Sequence, residues 1–209
     1  AALRIVLHRT EIWPVRVMVA LGLLLCLGLG SMAWRQSTIW RDTATLWKHA
    51  VSIDPTSSIA YNNAAKAPIR ENRLVEAARL LEKSLRLRRN NADAHTNMGV
   101  VLRRMGQPYR AVEHYREAER LRPRSAEIQY NFALLLAEEP LLDQLGFSSI
   151  DEQWHAALER YRQALAIRPK DVKTLNDLGI LHKKMGQIDS AVGFYREALK
   201  IDPDYVNSY

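Results

Sequence analysis

The chain has 209 residues, a formal net charge of +7 and a single cysteine, Cys26. That length suits one extended domain plus a short extra element, and one cysteine gives no disulfide from which to read a compartment. The basic excess favours anionic lipid headgroups near a membrane. It also suits nucleic acid, but bases such as Arg86, Arg88, Arg89, Arg103 and Arg104 are scattered over helix faces instead of forming a stripe, which argues against a nucleic-acid platform.

Residues 1–11 form a basic, amphipathic flanking segment. Because the chain begins with Ala1 instead of Met, they read as a loop or surface helix that follows something upstream. Residues 12–34 predict a transmembrane helix. The run from Val17 to Met32 carries no charge, and the whole segment makes about 34 Å of helix against a hydrocarbon core of about 30 Å. Trp13 and Trp34 suit the two interfaces, and Arg16 can snorkel to one of them. A signal peptide or a buried core helix is the competing reading. No convincing cleavage site is present, and a core helix is rarely so uniformly apolar. Orientation stays open, because Arg4, Arg9 and Arg16 on one side balance Arg35, Arg41 and Lys48 on the other.

From residue 35 onward a period takes over. Residues 35–55 form a junction and a lone second helix, with Trp47 and Ala50 on its inner face. Residues 56–209 repeat a two-helix unit. Pro55, Arg89, Pro123, Pro169 and Pro203 are spaced 34, 34, 46 and 34 apart, as are Trp47, Leu81, Tyr115, Tyr161 and Tyr195. The long spacing is one period plus a 12-residue insertion at 140–151. Gly106 and Gly186 end first helices, where a positive φ is needed; Asn72 takes that place in the unit starting at 58. Pro68 should kink a first helix. Small residues at Gly99, Gly179, Ala111 and Ala191 let paired helices approach, and Tyr115 and Tyr195 fill the space between them. Residues 206–209 read as the start of a further unit, with Tyr209 at a large-residue position, and no polar capping helix is visible.

This pattern resembles the tetratricopeptide (TPR) family. The fold class is therefore all-α: an N-terminal transmembrane helix, then a right-handed TPR solenoid of about four full repeats with a leading half repeat. In such a solenoid the first helices form the concave face. There Asn63, Asn97, Asn131 and Asp177 recur at one repeat position. Amides donate and accept, and the ladder is similar to that of the O-GlcNAc transferase solenoid, which implies an extended peptide as ligand. The competing reading is that these amides brace neighbouring helices. Arg70, Arg103, Arg104, Lys183 and Lys184 lie near the ends of the same helices and suit an acidic partner segment. A carboxylate-clamp function is disfavoured, since Asn62, Glu127 and Asn131 stand where that group needs bases. Leu141, Leu142, Leu145 and Phe147 in the insertion read either as a partner or membrane interface or as a segment folded back over the helix ends.

Catalytic signals are absent. The six histidines show no metal-ligand spacing, and neither a phosphate loop nor a nucleophile elbow is present. No cofactor or metal is expected. The junction, with Trp40, Leu46, Trp47 and Ala50 followed by Ala60-Tyr61-Asn62-Asn63, resembles that of transmembrane-and-TPR O-mannosyltransferases. The resemblance implies a substrate-presenting C-terminal region that faces the periplasm or the endoplasmic reticulum lumen. The other reading, which holds in either case, is a membrane-anchored scaffold or adaptor that binds a protein or extended peptide and organises a membrane complex.

Overall fold

A computed structural model describes residues 2–39, 43–138, 141 and 145–205, with side chains from 16 to 34 and from 43 onward. The Trp13 side chain, Trp40, Pro140, Leu142 and Tyr209 lie outside the described residues. The chain divides into two units, Ala1–Ile53 and Asp54–Tyr209. The half-repeat helix thus falls with the N-terminal unit, ahead of the boundary expected at residue 55.

In the first unit, α1 (Ala2–Ile39) is one helix, longer than the apolar run inside it. Its Arg16–Trp34 stretch is long and apolar enough to cross a membrane, and none of that stretch is buried. Helix α2 (Thr43–Ile53) follows.

The second unit is helical throughout its described residues. Its helices are α3 (Ser58–Ala64), α4 (Lys66–Arg70), α5 (Leu74–Leu87), α6 (Ala92–Arg104), α7 (Pro108–Leu121), α8 (Ala126–Glu138), α9 (Ile150–Ile167), α10 (Val172–Lys184) and α11 (Ile188–Ile201). The first helix of each repeat is α3–α4, α6, α8 or α10, and the second is α5, α7, α9 or α11. Pro68 does more than kink its helix. Without an N–H it cannot bond the Ala64 carbonyl, and its ring crowds that oxygen, so the helix breaks at Ala65 between α3 and α4. The turn residues take the conformation their chemistry allows: φ is 57° at Asn72, 69° at Gly106 and 73° at Gly186.

Within a repeat, the packing turns on one contact. A Cβ on Gly99 would stand 2.5 Å from the Tyr115 ring, and one on Gly179 would collide with Tyr195 in the same way. Tyr115 is fully buried and stacks on Phe132 of the next repeat, with ring centroids 5.7 Å apart. The glycine therefore admits the ring, and the ring joins two repeats. In the first repeat Ala65 and Leu81 hold the equivalent places, both fully buried.

The insertion is stitched to the core. Leu141 is fully buried. Its N–H donates to Gln153 Oε1 at 2.7 Å, while Gln153 Nε2 donates to the Leu136 carbonyl at 2.7 Å. Leu145 and Phe147 are half-buried against the same core. The reading of Leu141 as an exposed contact is thus corrected: its apolar side chain satisfies itself inside the fold, and an interface there has only Leu145 and Phe147 to offer among the described residues.

Candidate functional site

The first helices carry the predicted ladder, and the structure splits it in two. Asn97 Nδ2 donates to Asn62 Oδ1 at 2.9 Å, across the joint between α3 and α6. Asp177 Oδ2 accepts from the Tyr130 hydroxyl at 2.6 Å, across the joint between α8 and α10. Both are bonds one residue beyond the repeat period, 35 and 47 residues apart, the second spanning the insertion. Asn97 and Asp177 are therefore braces between repeats. Burial, then the Asp177 carboxylate, pushes the Tyr130 hydroxyl far above its ordinary range, so it stays a donor.

The other two ladder members are different. Among the described residues, Asn131 Nδ2 bonds only the Glu127 carbonyl of its own helix, at 2.9 Å, and its amide oxygen has no partner. Asn63 is half-exposed and has no side-chain partner among the described residues. Thr96, placed to bond Asn131, turns instead to the Ala92 carbonyl of its own helix at 2.8 Å. The middle joint thus lacks the polar rung of its neighbours.

The basic residues divide in the same way. Arg104 Nη1 donates to the Ile69 carbonyl at 2.6 Å and its Nη2 to Asn72 Oδ1 at 2.9 Å. Lys184 Nζ donates to the Ala137 carbonyl at 2.9 Å. These are equivalent contacts: each base donates to a carbonyl in the last turn of the preceding first helix. At the middle joint Glu138 stands where a base is expected, and it forms an ion pair with Arg103. Arg103, Arg104 and Lys184 are thus committed to structure, whereas Arg70 and Lys183 have no partner among the described residues.

Between α8 and α10 the first-helix face hollows into a groove of about 560 Å³. Leu134, Ile180 and Leu181 line its floor, Tyr161 and Tyr195 its back, and Lys183 its rim. It is a largely apolar trough, with Glu138 and Asp177 also in its lining and Lys183 unpartnered among the described residues. No group of three or more metal-capable side chains stands among the described residues. Sequence reasoning missed the rungs' partners Asn62 and Tyr130, because these two do not match in residue type.

Three family models place the repeats. Tetratricopeptide repeat models match 172–205 and 96–144, and a TPR repeat model matches 152–186. The chain is a tetratricopeptide-repeat protein. Human Protein O-mannosyl-transferase TMTC3 is 27% identical over 142 residues, covering 68% of this chain. Drosophila melanogaster Protein O-mannosyl-transferase Tmtc1 is 34% identical over 87 residues, 41% of this chain. The chain spans only 14% and 10% of those two proteins. Among solved structures, the thermophilic TPR protein TTC0263 of Thermus thermophilus superposes with a TM-score of 0.63 at 20% identity, over 85% of this chain and 90% of its own. YrrB, described as a TPR protein with an unusual peptide-binding site, gives 0.57 at 22% identity and 84% coverage of each chain. At such identity these two show the TPR fold alone.

Proposed function

We propose that this TPR chain is a membrane-anchored scaffold or adaptor whose first-helix face holds an extended segment of a partner protein. One observation carries the reading. Alongside the braced Asn97 and Asp177, the face keeps Asn63, the Asn131 amide oxygen and Lys183 unengaged among the described residues, with an apolar trough between α8 and α10. Amides at repeat spacing suit a peptide backbone, the trough suits an apolar side chain, and Lys183 suits an acidic neighbour. The peptide-binding site named for YrrB is in keeping with this. The Arg16–Trp34 stretch supplies the anchor and keeps the groove near a membrane.

The test is selection of extended peptides from a random displayed library against the full chain in detergent. Peptides bound in the groove should lose about tenfold or more in affinity when Asn131→Ala and Lys183→Ala are combined, from one backbone contact and one charge-assisted hydrogen bond. Binding untouched by that pair removes the groove from the proposal.

A second reading rests on the likeness to TMTC3 and Tmtc1. Here the same groove presents acceptor polypeptide to a membrane O-mannosyltransferase, with the TPR array periplasmic or lumenal and the chemistry elsewhere in a longer polypeptide. The intact mass of the native protein decides between the two. A mass near 23.9 kDa leaves the scaffold; a mass several times larger favours the transferase.

A further inference from the structure

The first joint between repeats has an outer crevice, on the opposite side from the groove. His95 lies about 160° around α6 from Asn97, at 3.6 residues per turn. Three repeat positions line that crevice. At the last joint they are Leu165, Leu175 and Phe194, all apolar. At the middle joint they are Glu119, Gln129 and Arg160. Here Glu119 Oε1 accepts from Arg160 Nη1 at 2.6 Å and from Gln129 Nε2 at 2.9 Å, and the Arg160 guanidinium lies 3.9 Å above the Phe132 ring. Burial alone would raise the Glu119 carboxyl, but those hydrogen bonds and the nearby Arg160 and Arg116 charges outweigh it and hold it below its usual value. The fold therefore stabilises a carboxylate at this position when bases surround it.

At the first joint the same positions are Leu85, His95 and His114. The carboxylate is missing and the bases are present. Leu85, Arg86, Arg89, His95, Arg110 and His114 line a crevice of about 400 Å³, with buried Met98 as floor and Glu82 as the one acid on its wall. The Arg86 and Arg89 guanidinium groups have no partner among the described residues, and Arg110 reaches only Gln107, at 2.7 Å. The histidines are locked. His95 Nε2 lies 2.8 Å from the Arg89 carbonyl, so it carries the proton; His95 Nδ1 then accepts from His114 Nδ1 at 3.0 Å. That leaves His114 Nε2 unprotonated and able to accept a hydrogen bond.

We propose that this crevice is a docking site for an acidic segment of a partner protein, which delivers one carboxylate among these bases, beside Leu85, the counterpart of Glu119. An apolar neighbour on the segment sits on Leu85 and Met98. The crevice is too small and too recessed for a lipid surface. Glu82, with Glu113 and Glu117 on α7, interrupts any stripe that a nucleic-acid backbone would need, and no Phe, Tyr or Trp lines the crevice for bases.

The test uses the full chain in detergent and a fluorescent octapeptide of alternating Glu and Leu, followed by anisotropy. Arg86→Gln combined with Arg89→Gln, both exposed positions, should weaken binding about tenfold or more, the loss expected for two charge-assisted hydrogen bonds. Leu85→Glu, which supplies the chain's own carboxylate, should block the peptide outright. Asn131→Ala with Lys183→Ala, in the groove, should leave the peptide bound, so that failure of the groove and failure of the crevice are told apart. The His114 ring signals in NMR should move on titration. The proposal is overturned if the arginine pair leaves affinity unchanged or if the groove variant abolishes it. It is equally overturned if His114 stays still, or if a short single-stranded RNA or glycerophosphoserine displaces the peptide.

Discussion

Gly99→Ala adds one methyl group at the contact on which the repeat packs. That methyl would stand 2.5 Å from the Tyr115 ring, against an ordinary carbon contact of about 3.5–4 Å. Something buried must therefore move by about 1 Å. The ring is fully buried and stacked on Phe132, so its shift carries into the next repeat. Overpacking of this kind costs about 1–3 kcal/mol, and alanine in a helix returns about 1 kcal/mol relative to glycine. The net expectation is a loss of about 1 kcal/mol. A double-mutant cycle isolates the contact. With Tyr115→Leu the obstacle is gone, and the pair copies Ala65 with Leu81 of the first repeat. In that background Gly99→Ala should be neutral or stabilising by up to about 1 kcal/mol. The coupling is then about 1–2 kcal/mol, read from urea unfolding of the full chain by circular dichroism. A coupling within about 0.5 kcal/mol of zero would show that the glycine is not there for the ring.

Two further outcomes follow from buried polar groups. His114 is pushed down to about 4, by burial first and then by the His95 and Arg110 charges. Its neutral form is favoured in the folded state, so its contribution to stability is complete above about pH 6.5, where the unfolded chain is also neutral. That contribution falls as pH drops toward 4. Thermal melts between pH 7 and 4 should show this loss in the wild type, and a flatter profile in His95→Leu with His114→Phe, which copies Leu175 and Phe194. An unchanged profile would place the acid sensitivity elsewhere. Gln153→Ala leaves the Leu141 N–H and the Leu136 carbonyl unpaired inside the fold and opens a cavity, at a cost of about 2–4 kcal/mol. Limited proteolysis should then cut within 140–151 well before the helices; equal protection in mutant and wild type would mean that the stitch does not hold the insertion.

The period made most of the second unit legible, because it fixes backbone events. Helix ends before Pro123, Pro169 and Pro203, the positive φ at Asn72, Gly106 and Gly186, and the glycine–tyrosine contact all follow from steric demands that recur every 34 residues. What the sequence concealed lies one step off that period. A ladder read at Asn63, Asn97, Asn131 and Asp177 looks uniform, yet two members are consumed by Asn62 and Tyr130, whose types do not repeat. Arg104 and Lys184 look like groove bases but bond backbone carbonyls, which no sequence pattern displays. The insertion looks removable, because deleting it restores the period. Leu141 and Gln153 show instead that its removal takes part of the core.

The three joints also differ in how they resist bending. At the first and last, a polar rung and a capped carbonyl tie the groove side together. At the middle one, among the described residues, no rung forms. A single half-exposed ion pair, Arg103 with Glu138, spans the groove edge while Glu119, Arg160 and Gln129 lock the outer edge. A rod built this way has its compliance in one place and in one direction. It yields by opening the groove beside Asn131, with the outer edge as fulcrum, and mobile ions that screen the Arg103 pair loosen that hinge before any other.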